Sequence, residues 1–499
     1  MRLLLLVLLV GSHAISMAQY FNLRYDFMGL NNYEVACSVE AEEDGAFTVF
    51  MSNANLVDPY ETAIVRFANN GDVVWANSIA SDTAYIYTGF HNNSFKLSQE
   101  VGYVLGTSFW ASEKNYMYLI HYDTTGDTLW TRYWTSDFGN DEIGYSAIED
   151  PDGNFLIAGV SDNANQYSIG VVAKTDPNGN TLWKRYYTGY TGSTSSTIFA
   201  TIESAYNGGY IIGSGTRSCE TCPFQHHLVR INNEGDVVWQ KILADNSNAG
   251  ETHAMHYGDG IYFASGWQCI DPQGIYQCKP YLIRFNDEGD TLWTKTFGEQ
   301  WLYATYTAHT KRLSDDHLMA VGEIRHENYQ QGLMLKYDID GNEIWRRIYS
   351  NVDGNACRFN DFTELTTGEL VAVGVAWPQG GEQPLGQDTW ILKTDEYGCL
   401  IPGCHVSVEE LEEADQSFLV GPNPASSMLN IYLPGEVTRH NQTLFRLTDL
   451  TGKLIREFTA DTGSTTYMLD VSEYPAGLYL LTLVVDGQMI KTERVVIER

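Results

Sequence analysis

The chain has 499 residues, 43% of them hydrophobic, so it is long enough to form two or more domains with apolar cores. Acidic residues outnumber basic ones 63 to 30, and the resulting net charge of −33 excludes nucleic acids and anionic membrane surfaces as favoured partners. The acidic residues are spread along the chain, which is typical of a solvated surface rather than of a cation-binding tail.

The first predicted element is a secretory signal peptide at residues 1–18. Arg2 gives a positive start, Leu3–Val10 is an apolar run, and small residues precede Gln19, so we expect cleavage between Ala18 and Gln19. No later stretch approaches the ~18 apolar residues of a transmembrane helix. The sequence therefore predicts an exported chain without a membrane span.

Residues 19–404 contain repeated copies of one sequence motif, exemplified by "NNEGDVVWQK" at 232–241. The glycines of its copies, at positions 71, 126, 179, 235, 289, 341 and 398, are 52 to 57 residues apart. This period fits one four-stranded propeller blade. In each repeat, alternating apolar runs flank Asn/Asp/Gly turns, the pattern of two β-hairpins. The sequence predicts an all-β fold, a seven-bladed β-propeller at 19–404.

The seventh copy, "DEYGCLIPGC" at 395–404, places Pro402 where the other copies have tryptophan. Proline cannot donate a hydrogen bond into a sheet, so the last blade lacks its outer strand. The segment "RYDFMG" at 24–29 resembles "RYWTSDFG" at 132–139, which follows the tryptophan of an earlier copy. We therefore predict that residues about 20–27 supply the missing strand and close the ring.

The repeated tryptophan has two interpretations, a packing residue between adjacent blades or a surface for stacking carbohydrate. Six copies at one position of a repeat favour packing. A basic residue recurs five positions before each glycine, and we expect it to pair with local carboxylates rather than to form an anion site. The tryptophans are Trp75, Trp130, Trp183, Trp239, Trp293 and Trp345.

The phrase "DTTGDTLW" at 123–130 resembles the blade motif of pyrroloquinoline-quinone-type propellers, and equally the short propeller repeats of exported bacterial proteins. The sequence has no adjacent cysteine pair and no recognisable quinone pocket, so no cofactor is expected. "CETCPFQHH" at 219–227 could bind zinc, but in an exported protein its cysteines favour a disulfide. We assign no metal site.

Eight cysteines in an exported chain indicate disulfides, although 105 pairings are possible. Proximity in sequence favours three pairs, and the remaining two cysteines would lie on inner strands of the first and last blades, where a bond could join the ends of the ring. The pairs are Cys219/Cys222, Cys269/Cys278, Cys399/Cys404 and the distant Cys37/Cys357.

An acidic linker at 405–417 precedes short alternating strands at 418–499, the pattern of a small Ig-like β-sandwich. This last segment resembles the type A C-terminal sorting domain of the type IX secretion system of Bacteroidota. The resemblance implies handling by the type IX machinery, passage across the outer membrane, and removal of the domain near the linker, followed by release or surface attachment. Its motif residues are Pro422, Asn423, Pro424, Asp449, Gly452, Lys453, Pro475 and Gly477.

The loops that join the second to the third strand of each blade, and one blade to the next, differ in every copy and are expected to carry recognition. Aromatic residues among them are candidate ligand contacts for a glycan or an extracellular protein, which predicts a binding or adhesion protein. A secreted polysaccharide hydrolase or lyase using the same face is the alternative, but no local catalytic motif identifies its residues. The candidate contacts are Trp110, Trp267, Trp301, Trp377 and Trp390.

Overall fold

A computed structural model describes residues 20–25, 32–55, 61–79, 85–87, 94–98, 102–163, 167–189, 196–219, 222–243, 248–249, 252–270, 277–297, 305–326, 329–351, 356–377, 386–400, 404, 418–433, 443–450, 452–460, 466–485 and 488–498. Every element of this part of the chain is a β-strand. No helix within these ranges is long and apolar enough to cross a membrane.

Within the described ranges, thirty strands precede the acidic segment, and their apolar residues alternate or run continuously as expected for sheets that are covered on both faces. In chain order they are β1 Phe21–Tyr25, β2 Asn32–Ala41, β3 Phe47–Asn55, β4 Glu61–Phe67, β5 Val73–Ile79, β6 Tyr85–Tyr87, β7 Phe95–Leu97, β8 Tyr103–Ala111, β9 Lys114–Tyr122, β10 Thr128–Trp134, β11 Glu142–Glu149, β12 Phe155–Asp162, β13 Ser168–Thr175, β14 Thr181–Tyr187, β15 Ser196–Ser204, β16 Tyr210–Arg217, β17 Gln225–Ile231, β18 Val237–Ile242, β19 Asn248–Ala249, β20 His253–Gly258, β21 Ile261–Ile270, β22 Gln277–Asn286, β23 Thr291–Thr296, β24 Thr305–Arg312, β25 Leu318–His326, β26 Tyr329–Tyr337, β27 Glu343–Tyr349, β28 Cys357–Glu364, β29 Leu370–Ala376 and β30 Asp388–Thr394.

These strands form antiparallel sheets of four or five strands, which we number by their order in the chain. Sheet 1 is β2–β5, sheet 2 β6–β10, sheet 3 β11–β14, sheet 4 β15–β18, sheet 5 β19–β23, sheet 6 β24–β27, and sheet 7 combines β28–β30 with β1. The first strand of each sheet packs against the next sheet, and β28 of sheet 7 packs against β2 of sheet 1. The all-β fold is confirmed, and the four-stranded sheets are consistent with a propeller.

The N-terminal strand completes sheet 7, as the sequence predicts. β1 pairs antiparallel with β30, and Phe21 lies opposite Lys393. Trp183 lies opposite Lys174 in the same way in sheet 3, so Phe21 occupies the tryptophan position of the repeat. Aligning Arg24 with Arg132, which stands two residues after Trp130, would place Asn22 at that position instead, so the sequence comparison is one residue out of register. Such a slip matters because neighbouring residues of a strand face opposite sides of the sheet.

Each repeated tryptophan lies half-buried on the outermost strand and packs on the hairpin turn of the following sheet. A Cβ placed on Gly126 would stand 2.6 Å from the indole of Trp75, so only glycine leaves room for the ring. The indole nitrogens of Trp130, Trp183 and Trp239 also donate to turn carbonyls of the next sheet, at 2.9 to 3.1 Å. These rings therefore join consecutive sheets at their outer edges.

The recurring basic residue lies opposite the tryptophan on the third strand and pairs with a carboxylate near a hairpin turn. Lys174 Nζ is 2.8 Å from Asp150, and Lys393 Nζ is 3.2 Å from Glu369. Arg66, Arg230, Arg284 and Lys336 form similar pairs, at 2.6 to 3.6 Å. The expectation of local pairing is confirmed for these residues, which do not converge on an anion site.

The C-terminal segment forms a separate pair of sheets around its own apolar core, with Phe418, Phe445 and Leu481 fully buried. One sheet has the order β31-β32-β35 and the other β34-β33-β36-β37. The strands are β31 Leu419–Gly421, β32 Met428–Tyr432, β33 Thr443–Asp449, β34 Leu454–Thr459, β35 Thr466–Asp470, β36 Gly477–Val485 and β37 Gln488–Ile497.

Two local disulfides lie where the sequence predicts them, Cys219–Cys222 and Cys399–Cys404. Cys278 is also disulfide-bonded, and strand register places Cys269 directly opposite, although the Cys269 side chain lies outside the described residues.

The predicted Cys37–Cys357 bond is wrong, because both residues are buried thiols. They do lie on the first strands of adjacent sheets, but they point to different partners. Cys37 Sγ donates to the Val35 carbonyl of sheet 1 at 3.4 Å, whereas Cys357 Sγ donates to the Tyr349 carbonyl of sheet 6 at 3.6 Å.

Candidate functional site

The seven sheets present two different ends, which we call the turn face and the loop face. The turn face carries the hairpin turns that join first to second and third to fourth strands. These turns are tied by their own side chains: Asp176 Oδ1 accepts the amides of Asn178 and Asn180, and Asp338 Oδ1 accepts those of Asp340 and Asn342. The loop face carries the remaining connections, which have no common sequence.

Three of the five tryptophans predicted to contact ligand lie partly accessible at the loop-face ends of strands. Trp110, near the end of β8, is 39% exposed. Trp267 in β21 and Trp377 after β29 are half-buried. Trp301 lies outside the described residues.

Trp390 does not belong to a surface site, and its assignment is corrected. It is fully buried in β30, stacks on Phe359 at 4.1 Å between ring centroids, and donates through Nε1 to Asn22 Oδ1 at 2.7 Å. Its ring thus helps to hold the N-terminal strand on sheet 7. Its position within an apolar strand run, "TWILK", was the signal that marked it as a core residue.

The β8–β9 hairpin concentrates aromatic residues on the loop face, and we call it the aromatic hairpin (Phe109–Tyr118). Its connection is a tight turn at Ser112 and Glu113, both with positive φ. Phe109 stacks on Tyr116 at 4.7 Å, and Tyr133 meets the Phe109 ring edge-on at 5.6 Å. A short turn and packed rings hold these side chains in place before any ligand arrives.

Two arginines lie over aromatic rings at the same end of the sheets. The Arg217 guanidinium is 4.9 Å from the Phe224 ring, beside the Cys219–Cys222 disulfide. The Arg358 guanidinium is 6.0 Å from the Trp377 ring. Paired aromatic and arginine side chains are enriched in recognition surfaces.

A cluster of charged residues, which the sequence analysis missed, lies where the first strands meet. We call Glu40, Lys96, Glu203, Lys311 and Asp361 the axial cluster. Lys96 Nζ is 4.0 Å from Glu40 and 3.9 Å from Glu203, and Lys311 Nζ is 4.0 Å from Glu40 and 3.0 Å from Asp361. Four of them each stand two residues before the first hairpin turn of their sheet, a regular spacing that can be seen in the sequence. These four are Glu40, Lys96, Glu203 and Lys311.

His309 and Asp361 form a fully enclosed pair beside the cluster. His309 Nδ1 donates to Asp361 Oδ1 at 2.6 Å, since an ionised carboxylate can only accept. Burial lowers the pKa of His309 to about 3, against the opposing effect of Asp361. Burial alone would raise the pKa of Asp361, but Lys311 and His309 outweigh it and hold the pKa at about 2. At neutral pH the pair is a neutral imidazole beside a carboxylate.

The histidines that the sequence placed near a possible zinc site are packed elsewhere. His226 and His227 are buried in β17, and Cys219 and Cys222 are joined to each other. Within the described ranges, no three metal-ligating side chains come together at metal-binding spacing.

Several motif residues of the C-terminal segment form hydrogen bonds that hold its strands and turns together. Asn423 Nδ2 donates to the Arg494 carbonyl at 2.6 Å, and its Oδ1 accepts the Val496 amide at 2.7 Å, which fixes the Pro422–Pro424 segment to β37. Asp449 Oδ1 accepts the Lys453 amide at 3.0 Å across the turn at Gly452. The Tyr479 hydroxyl donates to the Pro475 carbonyl at 2.8 Å.

Comparison with solved structures finds remote similarities. One is the extracellular domain of a putative hybrid two-component system from B. thetaiotaomicron, 10% identical over 93% of this chain and 70% of that one, with a TM-score of 0.31. Others are the β-propeller domain of the Trilobed protease from Pyrococcus furiosus (11% identity, 72% and 93%, TM-score 0.40) and an α-L-arabinanase from Penicillium chrysogenum (9%, 73% and 93%, 0.38). They are too remote to carry an argument about activity. No curated protein matches.

Residues 420–498 match the family model of the secretion system C-terminal sorting domain. The match coincides with the separate C-terminal sheets and includes all the motif residues described above. The chain therefore ends in a type IX secretion sorting domain, which directs it to the cell surface or the extracellular space.

Proposed function

We propose that this exported protein is a binding or adhesion protein whose ligand is an extracellular glycan or protein. In this proposal the seven sheets are the blades of one closed propeller at 19–404, and the ligand contacts its loop face. The observation that carries the proposal is the aromatic hairpin, where Trp110 is 39% exposed and Phe109, on the other side of the strand, is held by its stack on Tyr116. Aromatic rings held in place give contact area with little loss of side-chain entropy.

The arrangement of charges supports binding over hydrolysis. A glycosidase needs two carboxylates that remain available on either side of the bond to be cleaved. Among the described residues, buried Glu142 lies 3.4 Å from Lys184, Glu323 lies 2.6 Å from Arg325, and the axial carboxylates lie within 4.0 Å of lysines. Recognition through rings and hydrogen bonds needs no such free pair.

The proposed route to the surface divides the chain at the boundaries expected from sequence. The signal peptide at 1–18 directs export from the cytoplasm, and the domain at 418–499 directs passage across the outer membrane. Cleavage within 405–417 then frees the propeller for release or surface attachment.

A glycan array and a panel of extracellular proteins, probed with the chain from residue 19 onward, test the binding proposal. Trp110→Ala and Trp377→Ala should each weaken a detected interaction at least tenfold. Tyr206→Ala is the matched control, because Tyr206 is an exposed aromatic residue on a turn-face turn. Unchanged affinity in both tryptophan variants would contradict the placement of the site.

A secreted polysaccharide hydrolase or lyase acting at the same loop face is the second candidate, as the sequence analysis left open. The His309–Asp361 pair does not supply its base, because both side chains are buried and a polysaccharide cannot reach the imidazole. Incubating each polysaccharide detected in the binding screen with the protein tests this candidate. Shortened products would favour it, and intact polysaccharide would contradict it.

A further inference from the structure

The connection between sheets 2 and 3, residues 135–141, is fixed to sheet 3 near both of its ends. Lys184 Nζ donates to the Thr135 carbonyl at 2.7 Å, and Asn140 Nδ2 donates to the Asn163 carbonyl at 2.8 Å. A connection held in this way presents its exposed side chains in one arrangement before a ligand arrives, so little conformational entropy is lost on binding.

The middle of this connection carries an exposed ring that packs on sheet 3. Phe138 is 42% exposed, and its ring centroid lies 5.1 Å from that of Tyr186. The Tyr186 hydroxyl accepts the Asp137 amide at 2.8 Å and donates to the fully buried Glu142 at 3.0 Å. A buried network therefore holds Phe138 in place while part of its ring faces solvent.

Trp110 faces the same connection from sheet 2. On its strand, β8, Ser108 Oγ accepts the Gly144 amide of sheet 3 at 3.0 Å, and β8 pairs with β9 in continuous register. Trp110, two residues further along, therefore points to the same side. The hairpin is also bonded to the connection, since Lys114 Nζ donates to the Gly139 carbonyl at 2.5 Å. Two exposed rings thus lie on segments that are bonded to each other.

The exposed carboxylate of this surface has its charge offset nearby. Asp137 is 66% exposed, and its Oδ1 lies 2.9 Å from Lys184 Nζ. A carboxylate has acceptor sites for more than one donor, so Asp137 can also accept from a ligand hydroxyl. Aromatic rings suit the C–H faces of a sugar, and the acceptor suits its hydroxyl groups, so the surface matches a neutral sugar better than an ion.

The exposed area of the two rings favours a sugar over a protein as the occupant. Full burial of a large aromatic side chain covers about 150 to 250 Å², so two rings that are each about 40% exposed offer roughly 120 to 200 Å² for contact. A stable protein interface takes about 800 Å² from each partner. One or two sugar rings match the smaller area.

We propose that the ligand held at this surface is a neutral oligosaccharide, whose C–H faces stack on Trp110 and Phe138 and whose hydroxyl group donates to Asp137. This inference rests on the proposed binding function and narrows its ligand to one chemical class.

Calorimetric titration of the chain from residue 19 onward tests the ligand class. The neutral probes are the tetrasaccharides of β-1,4-linked glucose, mannose, galactose and xylose, and the charged counterpart is tetragalacturonic acid. At least one neutral probe should bind, and its affinity should change less than about twofold between low and high salt, because no net charge is recognised.

Two substitutions at one position separate ring stacking from simple apolar contact. Phe138→Leu should weaken binding of the neutral probe about tenfold, whereas Phe138→Tyr keeps the ring and should stay within about threefold. Asp137→Ala should also weaken binding about tenfold, because a hydrogen bond to a charged group is lost. Tyr206→Ala, on the turn face, is the control and should change nothing.

Saturation-transfer NMR on the unaltered protein gives a readout that does not depend on the folding of any variant. Protons on one face of a sugar ring should receive the strongest saturation, since stacking presents that face to the aromatic ring. Even saturation of both faces, or full affinity in the Phe138→Leu variant, would overturn the inference.

The ligand screens distinguish failure of this inference from failure of the proposed function. A ligand that is a protein or tetragalacturonic acid, bound in a Trp110-dependent manner while no neutral probe binds, would overturn this inference and leave the binding function standing. No ligand in either the glycan or the protein panel would overturn both.

Discussion

The ring of Phe21 packs against Gly71, so that a Cβ added to this glycine would stand 3.1 Å from the Phe21 ring. The contact joins the strand nearest the N-terminus to the first hairpin turn of the repeat, and it reproduces the tryptophan–glycine contact found between the other sheets. Tyr25 strengthens it by donating to the Gly71 carbonyl at 2.6 Å, as Tyr187 and Tyr349 do to the glycines of later turns. Phenylalanine thus takes the place of the missing seventh tryptophan.

Phe21→Ala should destabilise the protein by about 3 to 5 kcal/mol, because it removes a buried ring at the point where sheets 7 and 1 meet. Denaturant unfolding measures the change. Val238→Ala is the control, since Val238 is 60% exposed and should cost much less. Equal losses in the two variants would contradict the role given to Phe21.

Trp183→Ala should destabilise sheets 3 and 4 by about 3 kcal/mol, since it removes both the contact with Gly235 and the bond to the Asn233 carbonyl. Leu182 precedes it on the same strand and is 53% exposed, so Leu182→Ala should change the free energy of unfolding by about 0.5 kcal/mol or less. Thermal unfolding compares the pair directly. A larger effect at Leu182 would show that the tryptophan is not the joining residue.

The strands could be predicted from the sequence because each turn between them contains Asn, Asp and Gly, the residues that favour turns. The pairing of β1 with sheet 7 was also predictable from the sequence. Its register was not, because aligning "RY" at 24–25 with "RY" at 132–133 places residue 22, rather than Phe21, at the tryptophan position. The axial cluster was missed because its residues differ in type from sheet to sheet, so the offset that four of them share does not stand out as a repeat. Trp390 was misplaced because aromatic content alone does not separate a strand interior from a loop.

The two buried thiols give a chemical test of the disulfide assignments. The non-reduced protein should show no reactive thiol when folded, since Cys37 and Cys357 are buried, and burial raises the pKa of Cys357 to about 12. After denaturation without reductant, two thiols per chain should react with a colorimetric thiol reagent, and full reduction should give eight. Zero thiols in the denatured protein would show that Cys37 and Cys357 are bonded after all, and four would show that one of the three disulfides is absent.

Stability should fall as the pH drops from 6.5 toward 4, because three histidines are buried without charge. Burial lowers the pKa of His226 and His309 to about 3 and that of His227 to about 4. Below pH 6.5 the unfolded chain takes up protons at these residues while the folded chain does not, and each costs up to about 1.4 kcal/mol per pH unit. The effect is absent above pH 6.5.

Urea unfolding at half-unit pH intervals measures this slope. His226→Asn should reduce the slope by up to about 1.4 kcal/mol per pH unit. A slope that is the same in the His226 variant and the unaltered protein would contradict a neutral, buried imidazole at this position.

Deleting residues 418–499 should leave the seven sheets folded but hold the protein in the periplasm, because the sorting domain is what the type IX machinery handles. Fractionation of cells and medium, with immunoblotting, measures the distribution. Asn423→Ala should reduce export as well, since it removes both bonds that tie the Pro422–Pro424 segment to β37. Met468→Ala changes an exposed residue of the same domain and should be exported normally. Normal release of the deleted chain would show that export does not depend on this domain, and the route to the surface would then have to reside in the first 417 residues.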